Sequence, residues 1–242
     1  MKKLLLIAMM FVGIGNAHAD NYKPTQPSEK VSKGLTSVER DVRNAAVKVT
    51  TPGGGHGSGS LIQYKDLTLV ITARHVTDDA IGTTYMIFKN KESVSSVLLY
   101  KSQVADIAVL LLNGKFRNKS IKPMDWNVTK SYDIGMDIVY SGFPSWHKLM
   151  SFNGRVAGYE ISKTGETQLI VNTYGWFGCS GSLLYDTKGR IIGVLYGVDV
   201  EYTYGTQIQE NMIWVAPIKQ INIEEAIKPF CRGTVGKFRA CQ

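Results

Sequence analysis

Cysteine is scarce in this chain: three residues in 242, Cys179, Cys231 and Cys241, with no Cys-x2-Cys pair among them. Histidine is scarce too, four in all and none clustered. Neither residue type supplies the four closely spaced ligands of a structural zinc site, and no metal and no cofactor is expected. Long apolar runs are missing as well. Crossing a bilayer takes about 20 apolar residues, and the longest run here is the shorter stretch from Leu4 to Ile14. Lys2 and Lys3 precede that stretch and Ala17-His18-Ala19 follows it, the three parts of a secretory signal. Cleavage after Ala19 is expected, giving a protein exported to the periplasm or the medium with no membrane span in its mature form.

A strong charge of one sign is also lacking. Losing Lys2 and Lys3 with the signal takes the formal charge from +8 to +6. The basic residues are scattered, without the basic and aromatic interleaving of a nucleic-acid groove, so no nucleic-acid partner is expected. The odd cysteine count leaves at least one thiol outside any intrachain pair. Cys231 and Cys241 lie close together in the polar tail "CRGTVGKFRACQ", which suits a local disulfide in an oxidising compartment. Closing so short a loop stabilises by no more than about 3 kcal/mol on the chain-entropy account.

What the chain does have is a series of short β-branched and aromatic runs. Residues 20–44 are a polar lead-in that gains helix near Ser37. From Ala45 the texture changes to "AAVKVTT", "SGSLIQY", "LTLVITA", "TTYMIFK", "SVSSVLLYK" and "DIAVLLL". A second series follows: "DIVYSGFP", "SFNGRVAGYEIS", "TQLIVNTY", "GSLLYD", "RIIGVLYGV" and "NMIWVA". Strands of this length, separated by glycine, asparagine and charged turns, indicate an all-β barrel or sandwich. A polar stretch between the two series, within residues 113–130, divides the chain into similar halves at 45–115 and 131–216, with 116–130 as connector. In the segment 217–242, Ile218, Ile221, Ile223 and Ile227 are spaced mostly for one helix face, with Pro217 at its start and Pro229 ending it.

Chemistry enters with "GWFGCSGSLLYD", residues 175–186, where Cys179 and Ser180 stand side by side in a glycine-rich turn. A serine nucleophile needs a base, an acid that orients the base, and backbone donors for the oxyanion. Of the mature histidines, His56 lies in the loop "GGGHGSG" and His147 follows an exposed turn. His75 comes directly after the apolar strand "LTLVITA", which aims its ring from a rigid element. Asp106 heads "IAVLLL", where an unpartnered buried carboxylate would be costly. Gly178 and Gly181 let the chain turn so that the Gly178 and Ser180 N–H groups converge. Singly, each feature has a plainer reading: a strand-end histidine, a capping aspartate, a chance glycine turn. The nucleophile elbow G-x-S-x-G of the α/β-hydrolases is excluded because Ser182 stands where it needs glycine.

Taken in order, "ITARHV", "ADIAVLLL" and "GCSGSLL" resemble the three blocks of a chymotrypsin-like serine protease. "GSGSLI" at 57–62, "SGFP" and "GRIIGVLYG" resemble its bacterial glutamyl-endopeptidase and HtrA-type branches. The resemblance covers about residues 45–216. It implies two packed six-stranded antiparallel β-barrels with a C-terminal helix, and a peptide or protein substrate. It also implies a His75-Asp106-Ser180 triad and an oxyanion hole at the Gly178 and Ser180 N–H groups. The residues after Ala216 are too few for the PDZ domain that HtrA proteins append. Cys179 stands where digestive relatives keep an aspartate for zymogen activation, so activity without that switch is expected, with Ser180 as nucleophile and Cys179 facing away. The pocket for the residue before the cut is expected from Tyr174, Gly175, Leu195, Tyr196, Gly197 and Val198. Neither the acid of basic-specific relatives nor the histidine of glutamate-specific ones is present, which implies small-to-medium or apolar preference. The rival readings are a catalytically silent binding module and an esterase on the same fold.

Overall fold

Strand alternation and glycine-rich turns place the first six strands in one closed sheet. The computed structural model describes residues 34–162, 165–234 and 237–242, so the expected signal and most of the lead-in lie outside the described residues. Helix α1 (Ser37–Ala45) opens the compact unit Leu35–Gln242. Its N-terminus carries a capping box, in which the Thr36 hydroxyl accepts from the Glu39 N–H and Glu39 reaches back to the Thr36 N–H, satisfying two donors that the helix itself cannot. The strands that follow are β1 (Ala46–Thr50), β2 (His56–Tyr64), β3 (Leu67–Thr72), β4 (Thr84–Lys89), β5 (Glu92–Lys101) and β6 (Ala108–Leu112). Their order around the sheet is β1-β4-β5-β6-β3-β2, and β2 pairs back to β1 from Ala46↔Ser60 to Thr50↔His56, closing the barrel.

The second barrel is built from β8 (Asp137–Gly142), β9 (Met150–Ile161), β10 (Thr167–Asn172), β11 (Leu183–Asp186), β12 (Ile191–Glu201) and β13 (Gln207–Pro217). These close in the order β10-β13-β12-β11-β8-β9. All twelve strands coincide with the apolar runs of the sequence, and the architecture is the expected chymotrypsin-like double barrel. Between the barrels the connector, which shows no strand period, contributes a two-residue strand β7 (Met124–Asp125). It pairs parallel to the edge of β2 at Ile62↔Met124.

Two positions carry charge or proline where the pattern gives no warning. In β4, alternate residues Tyr85, Ile87 and Lys89 point inward while Met86 and Phe88 are exposed. Lys89 is admitted because its ammonium donates to the Arg43 and Ala46 carbonyls at the C-terminal end of α1, where a helix leaves unpaired acceptors. The C-terminal helix α2 (Ile223–Arg232) starts later than the sequence suggests. A 3-10 turn at Ile218–Gln220 precedes it, the Asn222 side chain caps it, and Pro229 lies inside rather than at its end. Ile223, Ala226 and Ile227 bury its inner face, and that packing outweighs the one backbone hydrogen bond that proline forfeits. Cys231 and Cys241 form the expected disulfide, tying the end of α2 to the tail, and Cys179 is free and buried.

Candidate active site

Each candidate side chain leaves the barrels from a short, internally braced turn. After β3, residues Arg74–Thr77 form one 3-10 turn whose Val76 and Thr77 are buried, leaving the His75 ring half exposed. Ahead of β6, the buried Ser102 hydroxyl accepts from the Val104 and Ala105 N–H groups, and the Ser102 N–H bonds the Ile107 carbonyl. That loop delivers Asp106 to His75. Asp106 accepts twice from His75: the backbone N–H reaches Oδ1 at 2.9 Å and ring Nδ1 reaches Oδ2 at 2.7 Å. Since a carboxylate only accepts, Nδ1 carries the proton and Nε2 keeps its lone pair in the neutral ring. Burial pushes the Asp106 carboxyl upward, but the hydrogen bonds and charge of His75, with Arg74 beyond, outweigh it and hold the group below the ordinary carboxylate range.

Ser180 sits in the turn between β10 and β11, backed by the first barrel. The Ser58 N–H of β2 donates to the Ser180 carbonyl at 2.7 Å. A Cβ on Gly181 would lie 2.2 Å from Thr72 Oγ1 and 3.0 Å from the Ala73 N, so the turn abuts the segment that leads into His75. Among the described residues Ser180 Oγ makes no hydrogen bond and the His75 ring bonds only Asp106. Catalytic hydrogen bonds are often long before substrate binds.

The peptide planes of this turn alternate. The Phe177 carbonyl accepts from the Ser145 N–H (2.6 Å), the Gly178 carbonyl from the Ser58 hydroxyl (2.7 Å), the Cys179 carbonyl from the Ser182 N–H (2.9 Å) and the Ser180 carbonyl from the Ser58 N–H. In a trans peptide the N–H points opposite to its carbonyl, so four tied carbonyls fix four N–H directions. The Cys179 N–H turns back to the Trp176 carbonyl and the Gly181 N–H bonds the Leu195 carbonyl. Among the described residues the Gly178 and Ser180 N–H groups have no acceptor. Gly178 sits at φ +90°, and a Cβ there would lie 2.4 Å from the Phe143 carbonyl oxygen, so a side chain meets both strain and a clash.

Cys179 faces the other way. Its side chain is fully buried in the second barrel among Tyr140, Leu195 and Ile213, and burial pushes its thiol upward, against weaker hydrogen bonds. A thiol so placed is inert.

The six expected pocket residues do not all present side chains. Tyr174 is half exposed and held by a ring stack, Tyr140 on Phe152 and Phe152 on Tyr174, with the Tyr140 hydroxyl donating to the Tyr174 carbonyl. Gly175 is pressed against Ile213 and Val198; a Cβ there would lie 2.3 Å from Ile213 Cγ2. The Leu195 side chain is buried in the second-barrel core. Tyr196, on the opposite face of β12, packs partly buried against the other apolar cluster, which joins first-barrel residues to Leu183, Val194 and Ala216 of the second, and the register shifts between Leu195 and Gly197. Ile213 is absent from the sequence-derived set because its place beside Gly175 depends on the pairing of β12 with β13.

Comparison with known proteins agrees with this architecture. The trypsin-like peptidase domain matches residues 57–194, more than half of the chain. No curated protein sequence matches significantly. Among solved structures, the chain is similar to Rv3671c of M. tuberculosis H37Rv in an inactive, serine-to-alanine form (TM-score 0.62, 14% identity, covering 84% of this chain and 95% of that one). It is also similar to the HtrA-type protease AlgW with tripeptide (TM-score 0.60, 18% identity, covering 76% of this chain and 60% of that one). At such identities the structural likeness speaks for the fold, while the domain match extends across both barrels and the Ser180 turn: this chain belongs to the trypsin-like peptidase family.

Proposed function

We propose that this protein is an exported serine endopeptidase working through His75, Asp106 and Ser180. The observation that carries the reading is the turn in which four carbonyls are tied and the Gly178 and Ser180 N–H groups have no acceptor among the described residues, with a histidine whose Nδ1 is engaged by Asp106. His75 Nε2 takes the proton from Ser180 Oγ as that oxygen attacks the scissile carbonyl carbon. The carbonyl oxygen becomes an oxyanion received by the two N–H groups. As the C–N bond breaks, His75 returns the proton to the leaving amine, and water hydrolyses the acyl-enzyme by the same steps. Asp106 keeps Nδ1 protonated and stabilises the imidazolium. The apolar leader and the Cys231–Cys241 disulfide support export to an oxidising compartment.

The wall made by Gly175, Ile213 and Val198 supports preference for a small-to-medium apolar residue before the cut. Steady-state kinetics on a peptide library test the whole reading. Ser180→Ala should lower kcat by on the order of 10⁶ if the triad acts as a unit. Activity of the variant within tenfold of wild type, or a library profile dominated by Lys, Arg or Glu, would contradict it.

A further inference from the structure

Ser58 lies in the first barrel, yet it holds the turn that carries Ser180. It is fully buried. Its hydroxyl donates to the Gly178 carbonyl at 2.7 Å and accepts from the Phe143 N–H at 2.9 Å, while its own N–H donates to the Ser180 carbonyl at 2.7 Å. One residue of β2 therefore fixes two carbonyls of the turn and the chain just beyond β8. The second connection matters as much as the first. Phe143 leads through Pro144 to Ser145, whose N–H ties the Phe177 carbonyl at 2.6 Å. Ser145 itself sits at φ +46°, a left-handed backbone that a non-glycine residue holds only when its surroundings determine it. His56, two residues before Ser58, completes the bracing: its Nε2–H donates to the Phe143 carbonyl at 3.2 Å. The peptide between Phe177 and Gly178, which aims the Gly178 N–H, is thus gripped through the Gly178 carbonyl on one side and through Phe143–Ser145 on the other. The Ser58 hydroxyl makes the first grip itself and supports the second through the Phe143 N–H.

We propose that Ser58 is the positioning residue of the oxyanion turn, a role that rests on the protease reading above. The Ser58 hydroxyl steadies both flanks of the 177–178 peptide, the Gly178 carbonyl and the Phe143–Ser145 segment, and so helps hold the Gly178 N–H in place without touching substrate. Removing it leaves the Gly178 carbonyl and the Phe143 N–H without that partner and loosens both flanks of the 177–178 peptide, so that its N–H drifts from the developing oxyanion. The effect falls on the transition state, in which the oxyanion exists, and not on ground-state binding.

Ser60 supplies the internal control. It is on the same strand, equally buried, and its hydroxyl also crosses to the second barrel, bonding the Tyr185 hydroxyl at 2.8 Å, but it does not touch the turn. Ser58→Ala should lower kcat about 10²-fold, the scale of one lost oxyanion donor, with KM nearly unchanged. Affinity for a peptide aldehyde, whose hemiacetal oxygen uses the same donors, should fall in parallel with kcat/KM. Ser60→Ala should leave both near wild type while lowering the melting temperature comparably. A second pair, Ser58→Thr and Ser58→Val, differs only in the hydroxyl and covers the case in which Ser58→Ala does not fold: Thr should retain activity and Val should not. Equal losses in Ser58→Ala and Ser60→Ala, or equal activity in the Thr and Val variants, would overturn the role of Ser58 and leave the protease reading standing. A folded wild-type protein with no peptidase activity would overturn both.

Discussion

Gly178→Ala is the substitution for which the structure gives the sharpest expectation. The residue sits at φ +90°, and an added Cβ would lie 2.4 Å from the Phe143 carbonyl oxygen and 3.1 Å from the Ser145 N. Those two are backbone atoms and cannot swing aside, unlike the His56 side chain, whose Nε2 would lie at 2.9 Å. The positive φ alone costs on the order of 1–2 kcal/mol for an L-residue, and the clash drives the turn out of its place against Phe143 and Ser145. Once the turn moves, the Gly178 N–H no longer meets the oxyanion, a loss worth about 10²–10³ in kcat. Gly189→Ala isolates the conformational cost: its φ is +75°, but the nearest atom to a Cβ is the flexible Met124 Cε at 3.2 Å. Initial rates on one peptide substrate, with thermal melts of both variants, separate the two effects. Gly189→Ala should lose stability and keep kcat; Gly178→Ala should lose both, with KM little changed. A Gly178→Ala enzyme within threefold of wild-type kcat would refute the assignment of this N–H to the oxyanion hole.

Two further outcomes are expected. Burial, reinforced by the charge of Arg43, pushes Lys89 down to about 7, whereas an unfolded lysine keeps its proton to about 10.4. Between those values the unfolded chain binds more protons, so stability should rise with pH from about 7 to 10, by up to about 4 kcal/mol. Urea melts at several pH values should show this slope in wild type and its loss in Lys89→Met; identical slopes would count against it. Cys179, fully buried and with its thiol pushed up, should resist iodoacetamide in the folded protein, with activity undiminished. Rapid inactivation by alkylation there would place the thiol in the cleft.

The strands were legible because each of the twelve is a self-contained apolar run bounded by turn residues, and a barrel needs little more than that. The proposed catalytic residues stand out in the sequence because each sits at a strand end or in a glycine turn. Other features depend on what the chain brings alongside. Lys89 interrupts the inward-facing side of β4, and its burial makes sense only once the end of α1 lies over it. Pro229 reads as a helix stop until the buried face of α2 is known. Ser58 belongs to a recognisable "GSGSLI" segment, yet its partners Gly178 and Phe143 lie 120 and 85 residues away. Leu195 and Tyr196 are adjacent in sequence but pack in different apolar clusters, because successive strand residues face opposite ways and which cluster lies on each side of β12 is set only by the fold.

The central claim is that Ser180, not the neighbouring thiol, is the nucleophile. Treating the folded protein with a fluorophosphonate and mapping the adduct by peptide mass spectrometry tests it most directly. The account predicts a single stoichiometric adduct on Ser180, abolished by prior denaturation and absent from Ser180→Ala. An adduct on Cys179 or on another serine, or none from a folded protein that cleaves peptides, would contradict it.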